Sequence, residues 1–414
     1  MNIICLKCKE RLMVKIVKYC EKVILILDKD DKSIVYSKDV LDRLYKQYWI
    51  NSVDSIEELT AIYTDLIIAD EPFDKVFTGQ EHGVLGVGFL NSLLKKNYKY
   101  MELAIGTRDK RSMKKHFQAA NLNYAKYKSN YSSNDLINNK NHGLTYPIVA
   151  KPVCGMGTYN TEIIRNNNEL KEYYSALNLN KVIHSEQIII EEYIKGKEYH
   201  ADMLWQDGKC IFLSIFQDLV PRIEVINMIN RNGSFSLLRE MHKELYRQIE
   251  EMHLKIIEQL EYFNGIMHTE FFIKDGKIFF SEIAKRYGGG AIIQSIKVAY
   301  GVDLIEEWLN IELGIKVNLQ IRSPQKIYNR LNFSPLASKG IVKKVPSKED
   351  FLSLPWVKYV EIFLKEGDLY SNSSIYVKSV YLVIEAENEE DLIKKIDKTY
   401  KKFPIILNES NFPD

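Results

Sequence analysis

The chain has 414 residues, enough to bury large cores in about two to four domains. Its 57 lysine and arginine residues nearly balance 55 acidic residues, and the net charge of +2 provides no long-range field for nucleic acid or a membrane surface. No apolar run approaches the roughly 20 residues of a membrane helix, and charged residues stand where a signal peptide is apolar. Five cysteines without regular spacing fit reduced thiols, so we predict a cytoplasmic protein.

Residues 1–106 alternate short strands with helices, which predicts a small parallel α/β sheet. NIICLKC and KVILILD are predicted strands, DSIEELTAIY a helix, DLIIAD a further strand and HGVLGVGFLNSLLKK a helix. Cys5 and Cys8 form a CxxC, but no second pair completes a tetrahedral zinc site, so a buried strand is the preferred interpretation. Glu81 and His82 precede the last helix, where they either cap it or face a ligand.

The next segment combines a basic helix, TRDKRSMKKHFQAAN, with a polar Asn- and Ser-rich loop, NYSSNDLINNKNHG, which we predict to be mobile. The strand YPIVAKP then ends near Lys151 and leads into a loop containing Gly155, Gly157 and Thr158. Glycines let backbone N–H groups approach an anion, and the lysine adds a point charge for phosphate oxygens. The spacing is not that of a Walker A loop, and a plain hairpin turn explains it nearly as well.

A further apolar strand, EQIIIEEYIKG, runs into a linker that carries Glu191, Glu192 and Glu198. Backbone amide and carbonyl groups in such a linker can hydrogen-bond an adenine edge, and a carboxylate just beyond it can hold ribose hydroxyls. Charges at the edge of a sheet are the alternative interpretation of the same segment.

Two apolar strands follow in GIMHTEFFIKDGKIFFSEIAKRYGGG, joined at Asp275-Gly276, which is a strong hairpin signal. Each strand carries one carboxylate, Glu270 and Glu282. Both strands are too apolar for each to have a solvent-exposed face. A carboxylate buried in such a sheet needs a cation or a hydrogen-bond donor beside it. A surface hairpin with two solvated glutamates is the alternative.

The turn geometry decides whether these carboxylates share a face. A two-residue turn would put Glu270 and Glu282 on opposite faces. A three-residue turn would pair Ile273 with Lys277, place His268 opposite Glu282 and leave Glu270 as its diagonal neighbour on the same face. We predict the three-residue turn, because the two side chains then converge on one hard cation.

The remainder of the chain contains a glycine-flanked helix and a C-terminal segment. Arg286 precedes three glycines that open a helix, whose free N–H groups would face an anion beside the arginine. From about Ser323 onward, strand-like GIVKKV, VKYVEIFLK and SIYVKSVYLVIEA precede the helix NEEDLIKKIDKTYKKF. We predict a small α+β segment that closes over the other domains. Substrate specificity is predicted to lie in residues 216–240, where Arg222 or Arg231 would hold a carboxylate.

Taken in this order, the motifs resemble the ATP-grasp superfamily over roughly residues 105–300. The match is carried by Asp109-Lys110 in a helix, PIVAKP, the glycine loop, EEYIKGKE, and a glutamate strand beside SEIAKR and GGG. HTEFF and IAKRYGGG are most similar to carboxylate–amine ligases such as bacterial L-amino acid ligases. The resemblance implies an α/β and α+β multidomain protein of ATP-grasp architecture. Its parts would be an N-terminal parallel α/β domain (1–106), a lid subdomain (107–190), a metal and substrate subdomain (191–320) and a C-terminal α+β segment (321–414).

The resemblance implies a set of ATP-binding residues along the lid and the linker. These are Lys110, Lys151, Gly155, Gly157 and Thr158 for the phosphates, Glu191 or Glu192 with the backbone of Ile194 for adenine, and Glu198 for ribose.

It also implies a metal and catalytic set. Glu270 and Glu282 would bind Mg²⁺, with Mn²⁺ as an alternative. Arg286, together with the phosphate-binding lysine on the lid, would stabilise the transferring phosphoryl group, or it would bind the substrate carboxylate. His268 would orient a substrate group, with a satisfied core histidine as the alternative. The family usually has Asn two residues after the second metal glutamate, and Ala284 at this position puts a second metal ion in doubt.

The implied activity is an ATP-dependent ligase that converts an amino acid or small carboxylate into an acyl phosphate and releases ADP and phosphate. The acceptor stays open between a free amine and the thiol of an acyl carrier protein, for example in antibiotic biosynthesis. Whether the protein forms a homodimer also stays open. Two rival hypotheses are an ATP-binding regulator without turnover, motivated by Ala284, and a biotin-type carboxylase. The latter is disfavoured because nothing C-terminal resembles a biotin-carrying Met-Lys-Met turn.

Overall fold

A computed structural model describes residues 1–29, 35–129, 142–177, 187–372 and 377–408. The predicted Asn- and Ser-rich loop lies outside the described residues except for its last two positions. No helix in the described ranges is long and apolar enough to cross a membrane. The helices are α1 (Glu10–Tyr19), α2 (Lys38–Asp42), α3 (Ile56–Ile68), α4 (Val84–Lys95), α5 (Lys99–Gly106), α6 (Lys110–Ala119), α7 (Asn167–Ala176), α8 (Lys243–Leu260), α9 (Ile292–Tyr300), α10 (Leu304–Glu312), α11 (Lys348–Leu352) and α12 (Glu389–Lys402).

The strands of the described residues form four sheets. They are β1 (Asn2–Leu6), β2 (Lys22–Asp28), β3 (Lys46–Ile50), β4 (Lys75–Phe77), β5 (Tyr127–Lys128), β6 (Ile148–Pro152), β7 (Glu162–Ile164), β8 (Ile188–Glu192), β9 (Lys197–Gln206), β10 (Lys209–Asp218), β11 (Gly233–Ser236), β12 (Gly265–Lys274), β13 (Lys277–Ala284), β14 (Ile327–Phe333), β15 (Lys339–Lys344), β16 (Val357–Ile362), β17 (Leu369–Ser371), β18 (Val380–Ala386) and β19 (Ile406–Asn408).

The N-terminal sheet has the order β3-β2-β1-β4 with all neighbours parallel, as the alternating pattern predicts. The predicted strand DLIIAD is wrong, because most of it continues helix α3. Leu59, Ile62 and Leu66 are buried along this helix at helical spacing, and Ser55 caps its start. A short apolar run does not by itself distinguish a buried helical turn from a strand.

Cys5 lies in β1 and Cys8 just after it, and both are buried among apolar side chains. Cys8 Sγ contacts the carbonyl oxygens of Leu6 and Phe77 at 3.8 Å. Burial raises the pKa of the Cys5 thiol and so disfavours the thiolate that zinc requires. The interpretation of the CxxC as part of a buried strand is confirmed.

The predicted three-residue hairpin turn is wrong. Lys274 pairs directly with Lys277, so the turn contains only Asp275 and Gly276. These residues have φ values of 50° and 71°, which is the geometry that matches a two-residue turn to the twist of its strands. An Asp-Gly pair adopts positive φ at low cost, and this preference decides the turn.

A β-bulge at Ser281 produces the shared face that the turn was expected to provide. The bulge puts Glu282 directly opposite Glu270, and His268 lies opposite Ala284 instead of Glu282. One extra residue in a strand reverses the faces of everything beyond it, and here it moves Glu282 away from the apolar core. The two carboxylates therefore stand side by side on one face of the sheet.

The largest sheet has eight strands in the order β13-β12-β9-β10-β11-β14-β18-β16, all antiparallel. Its apolar face, which includes Met203, Phe271 and Leu331, packs in one core with helices α8 and α12. The opposite face, here called the polar face, carries charged and hydroxyl side chains from neighbouring strands, among them β13, β12, β9, β10, β11 and β14. The alternation of side chains along each strand separates the two sets.

Three strands of this sheet, β14, β16 and β18, come from the predicted C-terminal segment. The expected boundary at residue 320 therefore runs through one sheet and one hydrophobic core. A second, four-stranded antiparallel sheet, β5-β8-β6-β7, stands over the polar face, and we refer to it as the lid sheet.

We predict that a chain ending at residue 320 does not fold cooperatively. Truncation would remove β14, β16, β18 and helix α12 from the core that they share with β11 and α8, and it would expose the remaining apolar side chains of that core. We expect the full chain to show a cooperative urea transition by circular dichroism. The truncated chain should show none and should bind a hydrophobic dye. A soluble 1–320 fragment that unfolds cooperatively would contradict this dependence on the C-terminal strands.

Candidate active site

The polar face and the lid sheet enclose a cleft with two adjoining cavities. The larger has about 840 Å³ of free space, partly open to solvent, and the smaller has about 330 Å³. Sequence-predicted residues around the larger cavity are Lys151, Gly157, Thr158, Glu191, Glu192, Ile194, Glu198, Glu270 and Glu282. Those around the smaller cavity are Gly155, Gly157, His268, Glu270, Glu282 and Arg286.

Glu270 and Glu282 line both cavities and so form the wall between them. Their side chains are 37% and 23% exposed, which leaves carboxylate oxygens available to a ligand. Directly opposed carboxylates on one face are suitable donors for a hard cation such as Mg²⁺. Ala284 also lines the smaller cavity, but its methyl group offers no third oxygen ligand.

Glu282 is held by two lysines from different elements. Lys110 Nζ lies 3.3 Å from Glu282 Oε2, and Lys151 Nζ lies 3.2 Å from Glu282 Oε1. Lys110 is buried beside the glycine loop, where its Nζ donates to the Gly155 carbonyl oxygen at 2.8 Å and Arg108 donates to the same oxygen at 3.1 Å. Lys110 thus connects the loop to the wall between the cavities without lining either cavity.

Glu191 lies between two buried ammonium groups. Lys114 Nζ is 3.1 Å from one carboxylate oxygen and Lys151 Nζ is 3.3 Å from the other. Burial alone raises the pKa of Glu191, but the two lysines outweigh this effect and hold the pKa below its ordinary value. Burial lowers the pKa of Lys151, and Glu191 with Glu282 outweighs burial and raises it. Lys151 is therefore a fixed cation beside the cleft.

Sequence reasoning missed Lys114, although a signal was present. Lys110 and Lys114 are four residues apart in α6, and the buried Met113 and Phe117 show that this side of the helix faces inward. Lysines on the apolar side of an amphipathic helix need buried counter-charges. The four-residue spacing of Lys110 and Lys114 therefore indicates that one side of α6 faces the site, while its other side faces solvent.

The end of β8 and the linker after it form one side of the larger cavity through Glu192, Tyr193 and Ile194. The carboxylate of Glu191 is paired with Lys114 and Lys151. The side chain of the adjacent Glu192 takes no part in these two ion pairs. Glu198 is buried and accepts a hydrogen bond from the Arg222 backbone N–H at 2.6 Å. Burial, and then the carboxylates of Asp218 and Glu270, raise the pKa of Glu198.

The smaller cavity carries an ion-pair cluster from three elements. The Arg286 Nε–H donates to Glu81, and Arg108 lies 3.5 Å from the same carboxylate. Burial raises the pKa of Glu81, but these two arginines outweigh it and lower the pKa to about 2. Glu81 was expected either to cap helix α4 or to face a ligand. Because Gly83 is the N-cap of α4 and Glu81 lines the smaller cavity, the structure favours the second alternative.

His268 Nε2 lies 3.6 Å from Glu270 Oε1, and its Nδ1 lies 2.9 Å from Asp202. Partial burial acts to raise the pKa of Glu270, whereas the neighbouring His268 lowers it to about 2. Of the two candidate specificity arginines, Arg222 lines the larger cavity. Arg231 is instead in an ion pair with Asp397 at 2.9 Å.

Residues 144–295 match the family model for the ATP-grasp domain. The chain is 28% identical over 357 residues to the L-arginine-specific L-amino acid ligase of Bacillus subtilis, covering 84% of this chain and 85% of that protein. The chain therefore contains an ATP-grasp domain and is similar to ligases of the carboxylate–amine branch. A match to D-alanine–D-alanine ligase A of Clostridium perfringens, 23% identical over 213 residues, covers 51% of this ligase and 68% of that protein.

The whole fold of the ligase has a solved counterpart. An L-amino acid ligase from Bacillus licheniformis superimposes with a TM-score of 0.76 and 18% identity, covering 99% of each chain. This likeness confirms the predicted ATP-grasp architecture, including the strands beyond residue 320.

We predict that Glu191→Gln strongly destabilises the ligase, because it leaves Lys114 and Lys151 without the charge between them. The free energy of unfolding should fall by about 3–5 kcal/mol in urea titrations at pH 7. The matched control is Glu192→Gln at the partly buried neighbouring position, where a change of about 0.5 kcal/mol is expected. An equal loss in both variants would contradict a structural charge at Glu191.

The same variant predicts a pH dependence. The folded-state pKa of Glu191 is lower than its unfolded-state value, so its stabilising contribution is present above the unfolded pKa of about 4.3. That contribution is lost as the pH falls through the folded pKa. The difference in unfolding free energy between the wild type and Glu191→Gln should therefore be largest near pH 7 and shrink below about pH 4.

Proposed function

We propose that this ligase joins the carboxylate of one amino acid to the amine of a second, using ATP and releasing ADP and phosphate. The observation that carries the proposal is the wall formed by Glu270 and Glu282 between two cavities. One cavity has the size and linker of a nucleotide site, and the other has the charged groups of a small-substrate site. Transfer of the phosphoryl group from ATP to the amino acid substrate would then occur at this wall.

In this proposal the larger cavity binds ATP. Lys151 and the loop at Gly157 and Thr158 hold the phosphates, and Lys110 and Gly155 support that loop. The linker backbone at Ile194 and the side chain of Glu192 face adenine, and Glu198 faces ribose. Of the two glutamates that the resemblance offered for adenine, the proposal takes Glu192, because Glu191 is the counter-charge of Lys151.

The donor set at Glu270 and Glu282 fits one Mg²⁺, with Mn²⁺ as a substitute of similar chemistry. When bound, the metal supplies positive charge to the phosphate oxygens. Lys151 adds a fixed positive charge on the nucleotide side, and Arg286 adds one on the substrate side. These groups would stabilise the charge that develops as the phosphoryl group moves to the acid.

The acid substrate would bind in the smaller cavity. Its carboxylate would lie near Arg286 and take the phosphoryl group, which makes the carbonyl carbon a good electrophile. The amine of the second substrate would then attack that carbon, form the amide bond, expel phosphate and release a proton to solvent. The lid sheet above the cleft would limit hydrolysis of the acyl phosphate by keeping water out.

The proposal is tested by incubating the ligase with ATP, Mg²⁺ and pairs of amino acids while measuring ADP release and product mass. We expect amino-acid-dependent ADP release with formation of a dipeptide. Glu282→Gln should lower kcat/KM by about 10²–10³-fold, because it removes a carboxylate from the wall between the cavities. Thioester formation with a pantetheine thiol would instead support a carrier-protein acceptor, and bicarbonate-dependent ATP cleavage would support a carboxylase.

The matched control is Glu385→Gln. Glu385 lies on the same face of the same sheet and interacts with Lys326 and the Tyr328 hydroxyl, but it lines neither cavity. We expect its kcat/KM to stay within about twofold of wild type. ATP binding without product from any acid and acceptor would contradict the ligase proposal and favour the regulatory hypothesis.

A further inference from the structure

A line of buried hydrogen bonds crosses the polar face from β14 to β12. Arg330 Nε donates to Ser234 Oγ at 2.9 Å, and His200 Nε2 lies 2.9 Å from the same oxygen. His200 Nδ1 and His268 Nδ1 each lie 2.9 Å from a different oxygen of Asp202. All five side chains are buried. We refer to Arg330, Ser234, His200, Asp202 and His268 as the histidine–aspartate network.

Donor and acceptor chemistry fixes the direction of the hydrogen bonds that Arg330 donates and that Asp202 accepts. A carboxylate only accepts, so Nδ1 of His200 and Nδ1 of His268 must both carry protons toward Asp202. Arg330 only donates, so Ser234 accepts from it and can donate its own proton to His200 Nε2. The network therefore selects one tautomer of His200. Because Nδ1 of His268 is bonded to Asp202, the other ring nitrogen, Nε2, faces away from Asp202.

The network ends at the wall between the two cavities and beneath the triple-glycine turn. His268 Nε2 lies 3.6 Å from Glu270 Oε1. A Cβ atom at Gly288 would lie 2.8 Å from His268 Nδ1, and one at Gly290 would lie 3.2 Å from Arg330 Nη1. The glycine backbone therefore packs closely over both ends of the network, and a side chain at residue 288 would displace the imidazole ring.

We propose that the histidine–aspartate network is a positioning device for the ligase reaction. Asp202, His200 and Ser234 line neither cavity. They hold the His268 ring so that its Nε2 faces the wall beside Glu270. The inference rests on the proposed function, because only a reaction at this wall makes the direction of Nε2 matter. Asp202, His200 and Ser234 are positioning residues, and they act through His268.

A metal ion is the competing explanation for part of the network. His200, Asp202 and His268 each place one ligand-type atom within 4.8 Å of the others. A metal bound by both Nδ1 atoms would require these nitrogens to lose their protons. Hydrogen bonding and metal ligation therefore predict opposite protonation of the same two atoms, and an experiment can separate them.

The kinetic test is Ser234→Ala, which removes one hydroxyl from the middle of the network and changes no cavity residue. We expect kcat to fall about tenfold, because the loss of outer partners of a reactive group typically costs 10–100-fold. KM for ATP should stay within about twofold, since the nucleotide cavity is unchanged. Asp202→Asn should cost about 100-fold, because an amide nitrogen cannot accept from the second imidazole.

Two buried serines on the same face provide matched controls. Ser214 lies directly across from Asp202, and among the described residues its hydroxyl has no hydrogen-bond partner. Ser236 accepts from the Tyr328 backbone N–H and lies outside the network. We expect Ser214→Ala and Ser236→Ala to keep wild-type kcat. If Ser234→Ala behaves as these controls do, the positioning role is overturned.

A second measurement does not depend on activity. Two-dimensional proton–nitrogen NMR of ¹⁵N-histidine-labelled ligase should show protonated Nδ1 atoms for both His200 and His268. Ser234→Ala should change the His200 signals and leave His253, which bonds Thr269 elsewhere in the sheet, unchanged. A stoichiometric bound metal with unprotonated Nδ1 atoms would overturn the network. If the wild type makes no product, the proposed function fails, and these signals alone decide whether the network exists.

Discussion

The cleft depends on a largely buried row of alternating charges, Lys114, Glu191, Lys151, Glu282 and Lys110, with each charged atom within 3.3 Å of the next. The row joins helix α6, the lid sheet and the eight-stranded sheet through side chains of α6, β6, β8 and β13. Removing a single charge would leave its buried neighbours uncompensated, so the row fixes all three elements together. Lys151 is the lysine of this row that lines the larger cavity, and its positive charge suits a site for phosphates.

Side chains alternate along each strand of the eight-stranded sheet, so one face packs the hydrophobic core and the other carries the residues of the candidate site. The apolar face forms the largest core, and the polar face is free to carry charges that would be too costly inside that core. The bulge at Ser281 is what assigns Glu282 to the polar face. A single inserted residue therefore determines whether the cleft has one wall carboxylate or two.

Sequence patterns predicted most of the local elements because local forces decide them. Apolar periodicity predicted the parallel N-terminal sheet, helix α6 and the C-terminal helix, and the order of motifs predicted the fold and the residues that gather at the cleft. The bulge left no signal in composition, so we attributed the shared face of Glu270 and Glu282 to the wrong turn. The partners of Lys114 and Glu81 come from distant segments, and only the assembled tertiary structure shows them.

Ala284 is the departure from the family pattern that bears most on the chemistry. It lies opposite His268, so a longer side chain there would compete with the imidazole for the smaller cavity. Burial lowers the pKa of His268, but Asp202 outweighs this effect and raises the pKa to about 9. At neutral pH a positive charge therefore adjoins Glu270 without a second metal ion. In the proposed reaction, Glu270 and Glu282 would hold one Mg²⁺, so the missing amide oxygen bears on a second metal ion and not on the first.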